Sequence, residues 1–173
     1  DALQAALARM GDVDQLICAG DAFHEYRFSN EVTELLIERD AIWVLGNHEL
    51  GLLGPSGDRA RGREGVRADL VEHVRNRPLE LRLRIDGCTV LLTHGSPVAP
   101  HGRYVYPGSR ELREIEAVDA DVVILGHTHV QMDERVGSRR LRFGAVVRVA
   151  EPAHRIVWQL RTGVMLPAWL DIT

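Results

Sequence analysis

The sequence contains no lysine. All 21 of its basic residues are arginine, and 25 acidic residues outnumber them, which gives a formal charge of -4 at pH 7. A chain without net positive charge does not attract nucleic acid over a distance, so we do not expect nucleic acid as a stable partner. No run of hydrophobic residues approaches the ~18 that a membrane-spanning helix needs, so no membrane span is expected.

Cysteine is scarce as well. Cys18 and Cys88 both lie inside short hydrophobic runs. Buried, reduced thiols are the ordinary state of such residues in a cytosolic protein, so we expect no disulfide framework and a cytoplasmic location. With 173 residues, of which 45% are hydrophobic, the chain is predicted to form a single domain over residues 1–173.

Short hydrophobic runs alternate with segments of helical spacing along the first two thirds of the chain. Fully hydrophobic runs predict buried strands, and strand–helix–strand order implies parallel strands joined by helical crossovers. Helices are predicted over the opening ten residues and at 31–39, 66–76 and 109–118; strands are predicted at 16–19, 41–45, 79–85, 88–94 and 122–125.

Turn-forming residues divide the remaining segments. Asp86-Gly87 predicts a hairpin between the strands at 79–85 and 88–94. The stretch 51–65 is rich in Gly, Arg and Pro, lacks periodicity and is predicted to be a long loop. Further strands are predicted near 130–136, 139–143, 155–160 and 164–170. The apolar end of the chain fits a packed strand, an interface, or a segment whose partner lies elsewhere.

Polar motifs follow four of the predicted strands directly. The motifs are Gly20-Asp21, Gly46-Asn47-His48-Glu49, Thr93-His94-Gly95 and Gly126-His127-Thr128-His129. The carboxyl ends of strands in α/β sheets are where ligand sites form. A carboxylate, an amide oxygen and several imidazoles suit Mn, Fe or Zn better than a soft metal, and a glycine before three of the motifs lets the backbone approach an ion without a Cβ in the way.

In their order and placement the four motifs resemble those of the calcineurin-like metallophosphoesterase superfamily, in its small bacterial and archaeal phosphodiesterase branch. The resemblance extends over roughly residues 1–135. It implies an α/β fold in which two mixed β-sheets pack as a sandwich flanked by helices, giving four layers. It also implies two divalent metal ions at the strand ends, with Mn favoured and Fe, Ni, Co or Zn as alternatives.

The resemblance also implies a role for individual residues. Asp21 would bridge both metals; Asn47, His94 and His127 would hold the second metal, and His129 would belong to the first. His48 would approach the phosphoryl group as a hydrogen-bond donor or general acid, unless it is a loop histidine without a catalytic part. Glu49 would have a supporting role, and His24, three residues after Asp21, is a candidate substrate contact.

The activity implied is hydrolysis of a small-molecule phosphoester, more specifically a phosphodiester, by in-line attack of a metal-bridging hydroxide on phosphorus. Two cations depress the pKa of the water between them and neutralise charge on the phosphoryl group. The sequence leaves the natural substrate and the oligomeric state open, and a homo-oligomer is possible.

The sequence also departs from the family pattern. The D-x-H motif that ends the family's first strand is absent, so that strand is expected to be missing. Either the chain lacks its native start, which we favour, or it is a natural variant with an impaired site. No N-P-G-S tetrapeptide follows residue 140. The alternative function is therefore a catalytically impaired phosphoesterase-like scaffold that acts through protein–protein contacts.

Other polar and aromatic residues have less specific interpretations. Arg59, Arg61, Arg63 and Arg67 either form a solvated surface or contact a substrate phosphate; Tyr104 and Tyr106 either pack or stack on a nucleobase; His73, His101 and His154 show no ligand pattern.

Overall fold

The computed structural model describes residues 2–10, 13–99, 101–130, 132–136, 139–143, 147–149, 156–157 and 168–170. The described helices are α1 (Ala2–Met10), α2 (Asn30–Glu38), α3 (Asn47–Leu53), α4 (Asp58–Arg61), α5 (Ala68–Arg75) and α6 (Arg110–Glu114). The described strands are β1 (Gln15–Cys18), β2 (Ile42–Trp43), β3 (Glu80–Ile85), β4 (Cys88–Thr93), β5 (Val122–Leu125), β6 (Met132–Val136), β7 (Arg139–Phe143), β8 (Val147–Val149), β9 (Ile156–Val157) and β10 (Ala168–Leu170).

The strands form two larger sheets and a small pair. One sheet has the order β2-β1-β9, with both pairings parallel. The other has the order β3-β4-β5-β7-β6 and is mixed, because its inner pairings are parallel and the pairings at both edges are antiparallel. β8 and β10 form a separate parallel pair. The predicted hairpin around Asp86 is the antiparallel pair of β3 and β4.

The two larger sheets pack against each other, as alternation along β1 shows. Ile17 and Ala19 lie in the core between the sheets. Their partners in that core come from both sheets: Val44, Val90, Leu92, Val122 and Ile124. Leu16 and Cys18, one residue out of phase, belong to a different core, which they share with residues of α1 to α5.

The opposite face of the mixed sheet is covered in the same way. Leu91 and Val123 are fully buried and pack against α6 and the 3-10 turn after it, where Leu112 and Ile115 lie. The order of layers is therefore helices, sheet, sheet and helix. This arrangement confirms the predicted α/β sandwich flanked by helices.

The prediction of a long loop over 51–65 is wrong. α3 runs to Leu53, a 3-10 turn occupies Pro55–Gly57, and α4 follows. The guanidinium of Arg61 donates to the carbonyls of Leu52 and Gly54, which satisfies carbonyls at the carboxyl end of α3. Helices of this length are too short for a hydrophobic repeat to appear in the sequence.

Most other predicted elements are confirmed, with adjusted bounds. The helix predicted at 109–118 is α6 followed by a 3-10 turn. Of the strands predicted at 155–160 and 164–170, the structure has β9 and β10, and the remaining residues of those ranges lie outside the described residues.

The two cysteines differ in burial. Cys18 is buried as expected, whereas Cys88, at the start of β4, is only half-buried; neither forms a disulfide. Among the described residues, no helix is both long enough and apolar enough to cross a membrane.

Candidate metal centre

Four of the predicted ligands meet at one edge of the sheets. Asp21 follows β1, Asn47 is the first residue of α3, and His94 and His127 follow β4 and β5. The Nε2 atom of His94 lies 3.0 Å from Asn47 Oδ1, 3.0 Å from His127 Nδ1 and 3.3 Å from Asp21 Oδ2. We call these four residues the inner group. One ligand atom each of Asp21, His94 and His127 lies within 4.8 Å of the others.

The orientation of the His94 ring is set by the backbone. Its Nδ1 atom lies 2.7 Å from the carbonyl oxygen of Ala19. Because a carbonyl only accepts hydrogen bonds, Nδ1 carries the proton. In the neutral ring Nε2 is then unprotonated and presents a lone pair. That lone pair faces the oxygens of Asp21 and Asn47, which are themselves electron-rich. Such a convergence fits a borderline divalent cation, and the backbone contact to the far nitrogen is the usual support of a ligating histidine.

The ionisable residues of the inner group shift one another's pKa values in the absence of a cation. Burial raises the pKa of Asp21, but the hydrogen bond and charge of His94 outweigh it and hold that pKa below its usual value. Burial lowers the pKa of His94, and the contact with Asp21 more than reverses this, so the net shift is upward. Burial, followed by the charge of His94, lowers the pKa of His127 to about 4, which leaves that ring neutral at pH 7.

Glu49 joins the loop after β1 to the loop after β2 through hydrogen bonds. Its carboxylate accepts hydrogen bonds from the backbone N–H groups of Asp21 (2.7 Å), Gly46 (2.7 Å) and Phe23 (3.0 Å). Burial, then the charge of Asp21, raises the pKa of Glu49, whereas the three N–H donors oppose that shift. The residue holds the loops that carry Asp21 and Asn47, which is the supporting role expected for it.

The glycines of the motifs allow the loops of the site to pack closely against one another. A Cβ on Gly20, whose φ is +84°, would lie 2.6 Å from the nitrogen of Gly46 and 2.8 Å from Nδ1 of His94. A Cβ on Gly46 would in turn lie 2.6 Å from the nitrogen of Asp21. The two loops and the His94 ring therefore occupy the space that side chains would need.

Backbone strain marks the same edge. Asp21, His127 and His129 have φ values of 56°, 70° and 56°, in the left-handed region that residues other than glycine rarely adopt. Each such residue costs on the order of 1–3 kcal/mol, and strain of this kind gathers at functional sites. Sequence reasoning missed it; the available signal is that Asp and His tolerate this region better than most residues.

The remaining predicted site histidines, His24, His48 and His129, lie around the inner group, and we call them the outer histidines. His48 donates its backbone N–H to Asp21 Oδ1 at 2.9 Å, and its ring lies between two carboxylates, 3.7 Å from Asp21 Oδ2 and 3.5 Å from Glu25 Oε2. The His24 ring centroid is 5.3 Å from that of His48.

His129 is exposed and is not part of the compact set of ligand atoms formed by Asp21, His94 and His127. Glu25 was not foreseen from the sequence. Its position four residues after Asp21, in the turn closed by the hydrogen bond from Arg27 N–H to the His24 carbonyl, gave no motif to recognise.

Two tyrosines border the inner group. The ring of Tyr104 stacks on His127 with 3.9 Å between centroids and 14° between planes. Tyr106 is nearly parallel to Tyr104, at 5.8 Å and 11°. The sequence left packing and stacking open for these residues, and the structure places Tyr104 against His127 with Tyr106 on the far side of that contact, next to Tyr104.

Two of the arginines considered for phosphate contacts are engaged elsewhere. Arg61 also forms an ion pair with Asp58, and Arg67 pairs with Glu34 and Asp69. The first ion pair lies within α4, and the others join the start of α5 to α2 and to its own first turn.

Comparison with known proteins agrees with the motifs. The sequence model of the calcineurin-like phosphoesterase superfamily domain matches residues 1–162. An uncharacterized protein of Methanocaldococcus jannaschii is 25% identical over 134 residues, which are 68% of this chain and 52% of that protein. The chain therefore spans about half the length of the curated relative that it matches.

Two solved structures share the fold. A metallophosphoesterase from Sphaerobacter thermophilus has a TM-score of 0.67 at 24% identity, over 82% of this chain and 70% of that one. A hypothetical protein from Pyrococcus horikoshii has a TM-score of 0.59 at 16% identity, over 82% and 68%. With the family match extending over most of its length, the chain belongs to the calcineurin-like phosphoesterase superfamily.

Proposed function

We propose that the protein is a metal-dependent phosphoester hydrolase that acts on small-molecule phosphodiesters. The observation that carries the proposal is the convergence of Asp21, Asn47 and His127 on a His94 Nε2 atom whose ring is held by the Ala19 carbonyl. A structural histidine needs one or two partners, whereas this arrangement gathers more electron-rich atoms than hydrogen bonding alone explains.

The residues that would hold two divalent ions follow from their positions. Asp21, Asn47, His94 and His127 would hold one ion, and Asp21 with His129 would contribute to the site of the other. Manganese is the first choice, with Fe, Ni, Co or Zn as alternatives, because this donor set does not discriminate strongly among them. When bound, such ions activate water as a nucleophile and neutralise charge on the phosphoryl group.

The outer histidines would act on the substrate. His48 lies between Asp21 and Glu25, so a proton on either ring nitrogen has a carboxylate nearby. This placement favours a hydrogen-bond donor or general acid for the phosphoryl group. His24, beside the His48 ring, is proposed to contact the substrate. A diester is favoured over a dianionic monoester because Arg61 and Arg67 are engaged in structural contacts.

The test is hydrolysis of bis(p-nitrophenyl) phosphate and p-nitrophenyl phosphate by the manganese-loaded protein. We expect turnover of the diester, loss of it on chelation, and recovery with manganese. Asp21→Asn should lower turnover by at least about 100-fold, since it removes the charge shared by the ligands. Asp40→Asn is the matched control, because Asp40 is exposed and has a similar φ of 47°. Unchanged turnover in Asp21→Asn would overturn the proposal.

The alternative is a phosphoesterase-like scaffold that acts through protein–protein contacts. One observation favours it: a protonated His94 ring would donate its Nε2–H to Asp21 Oδ2 at 3.3 Å, and such an ion pair satisfies both side chains. Elemental analysis after manganese loading and dialysis separates the two readings. Two ions per chain, or one ion together with diester turnover, supports the hydrolase, whereas no retained metal and no turnover supports the scaffold.

A further inference from the structure

Tyrosine is rare in this chain, and its placement is uneven. The sequence has 3 tyrosines, and Tyr26, Tyr104 and Tyr106 are 56%, 50% and 45% exposed. Phe23, Phe28 and Trp43, by contrast, are buried. Aromatic rings left half in water near a cluster of polar side chains are typical of ligand contacts, because burial in the core is otherwise the favoured state of such rings.

The segment that carries Tyr104 and Tyr106 is anchored by its two neighbouring residues, the buried Val105 and the ion-paired Arg103. Exposure alternates along it: Val105 is 1% exposed and packs in the core, while both tyrosines face outwards. Arg103 is anchored by ion pairs with Glu111 and Glu114. Residues two apart in an extended segment point to the same side, so the buried Val105 directs both rings towards the same surface.

The rings are arranged in parallel with a residue of the inner group. Tyr104 stacks face to face on His127, and Tyr106 has almost the same ring orientation as Tyr104. Tyr26 differs, since its ring is tilted by 48° against His24. His127 covers one face of Tyr104, and the exposed halves of the two parallel rings remain for a ligand. Rings that are fixed before binding favour a planar aromatic group, because stacking on them costs little conformational entropy.

We propose that Tyr104 and Tyr106 form an aromatic platform that stacks a planar aromatic group of the substrate while its phosphoryl group lies at the inner group. This inference rests on the proposed function of the inner group and narrows the substrate to aromatic phosphoesters. An aryl ester and a nucleotide both supply the required flat π face, and the two sources differ in how far the ring lies from phosphorus.

The test is calorimetric binding of two phosphonates that are not hydrolysed, phenylphosphonate and cyclohexylphosphonate, to the manganese-loaded protein. They share the anionic group and approximate size and differ in the π face. We expect the wild type to bind phenylphosphonate more tightly, by roughly two- to twelvefold for a stacked aromatic pair. The ratio of the two affinities isolates stacking, because any change in the metal site affects both ligands alike.

Matched variants assign the preference to the platform. The double variant Tyr104→Leu with Tyr106→Leu keeps hydrophobic bulk and should abolish the preference. Tyr104→Phe with Tyr106→Phe keeps both rings and should retain it. Tyr26→Ala removes an exposed tyrosine outside the platform and should also retain it. A wild-type ratio near one, or a ratio unchanged in the double leucine variant, overturns the platform.

A second ligand pair distinguishes the sources. Adenosine 5′-monophosphate and ribose 5-phosphate share the anion and sugar and differ by the base. A base-dependent gain in affinity that the double leucine variant loses assigns a nucleotide, whereas a preference confined to phenylphosphonate assigns an aryl ester. Hydrolysis of the chromogenic diester without any aromatic preference overturns the platform alone. Absence of both hydrolysis and phosphonate binding overturns the platform together with the proposed function.

Discussion

The inner group and the outer histidines lie side by side but are held very differently. His94 is fixed by the Ala19 carbonyl at 2.7 Å, and Asp21 by the His48 backbone at 2.9 Å. The His48 ring, in contrast, has no contact with its carboxylate neighbours closer than 3.5 Å, and His129 is exposed. The difference teaches that short hydrogen bonds to the backbone fix the side chains of the inner group more firmly than the rings of the outer histidines.

The largest expected effect separates the two regions by metal affinity. His94→Ala removes the atom on which the other ligands converge, so manganese affinity should fall by at least ~100-fold, more than loss of a supporting contact costs. His129→Ala should leave one high-affinity site in place. Isothermal titration with manganese measures both. Equal losses in the two variants would contradict the distinction between the regions.

The claim that the fold positions the inner group can be tested without removing any of its side chains. Gly20→Ala keeps every ligand but places a Cβ 2.6 Å from the Gly46 nitrogen, so we expect a loss of about 2–4 kcal/mol in the free energy of unfolding. Gly65→Ala is the matched control, because Gly65 has the same φ of +84° with nothing within 4 Å of its added Cβ. It should cost about 1 kcal/mol from backbone strain alone. Urea denaturation of both variants gives the difference, and equal costs would refute the packing argument.

A smaller effect tests the support below the inner group. In Glu49→Gln an amide N–H replaces one carboxylate oxygen and faces a backbone donor of Asp21, Gly46 or Phe23. One buried donor then lacks an acceptor, which should cost about 1–3 kcal/mol of unfolding free energy. Glu64→Gln, at an exposed residue, is the control and should be neutral. Thermal unfolding measures both, and equal stabilities of the two variants would show that the Glu49 carboxylate does not stabilise the loops.

The smallest effect concerns the access of solvent to Cys18, which lies in the core between β1 and the helices. Burial raises the pKa of Cys18 to about 12, so at pH 8 only about one thiol in 10,000 is ionised. Cys18 should therefore resist a thiol reagent throughout pH 7–9 in the native protein, while the half-buried Cys88 reacts. Unfolding should expose both. Mass spectrometry of the peptides measures how far each cysteine is labelled. Rapid labelling of Cys18 in the native protein would show that solvent reaches this core.

The fold and the inner group could be predicted because local patterns encode them. Hydrophobic runs such as 122–125 are too short for a helix and predict buried strands, and the polar residue after each run is then expected at the sheet edge. That reasoning predicts Asp21 and His94 at one edge, where the structure has them 3.3 Å apart, whereas their roles as ligands are implied only by the family resemblance.

The rest could not be predicted, because it depends on contacts between distant segments. The short helix α4 is held by Arg61 reaching back to carbonyls of α3, an interaction without a hydrophobic period. The stacking of Tyr104 on His127 joins loops after different strands, and composition alone gave no reason to choose stacking over packing. The need for glycine in the packing of the loops was not foreseen either, since those contacts are visible only in three dimensions.

The hydrogen bond between His94 and Ala19 has a consequence for the order of folding. It joins residues 75 positions apart, and the contacts of His94 with Asn47 and His127 span 47 and 33 positions. Closing loops of that length costs entropy before the contacts repay it, so we expect the ligands to come together late in folding. A bound cation should then lower the rate of unfolding and leave the rate of folding unchanged. It would stabilise the native state kinetically without taking part in the folding nucleus.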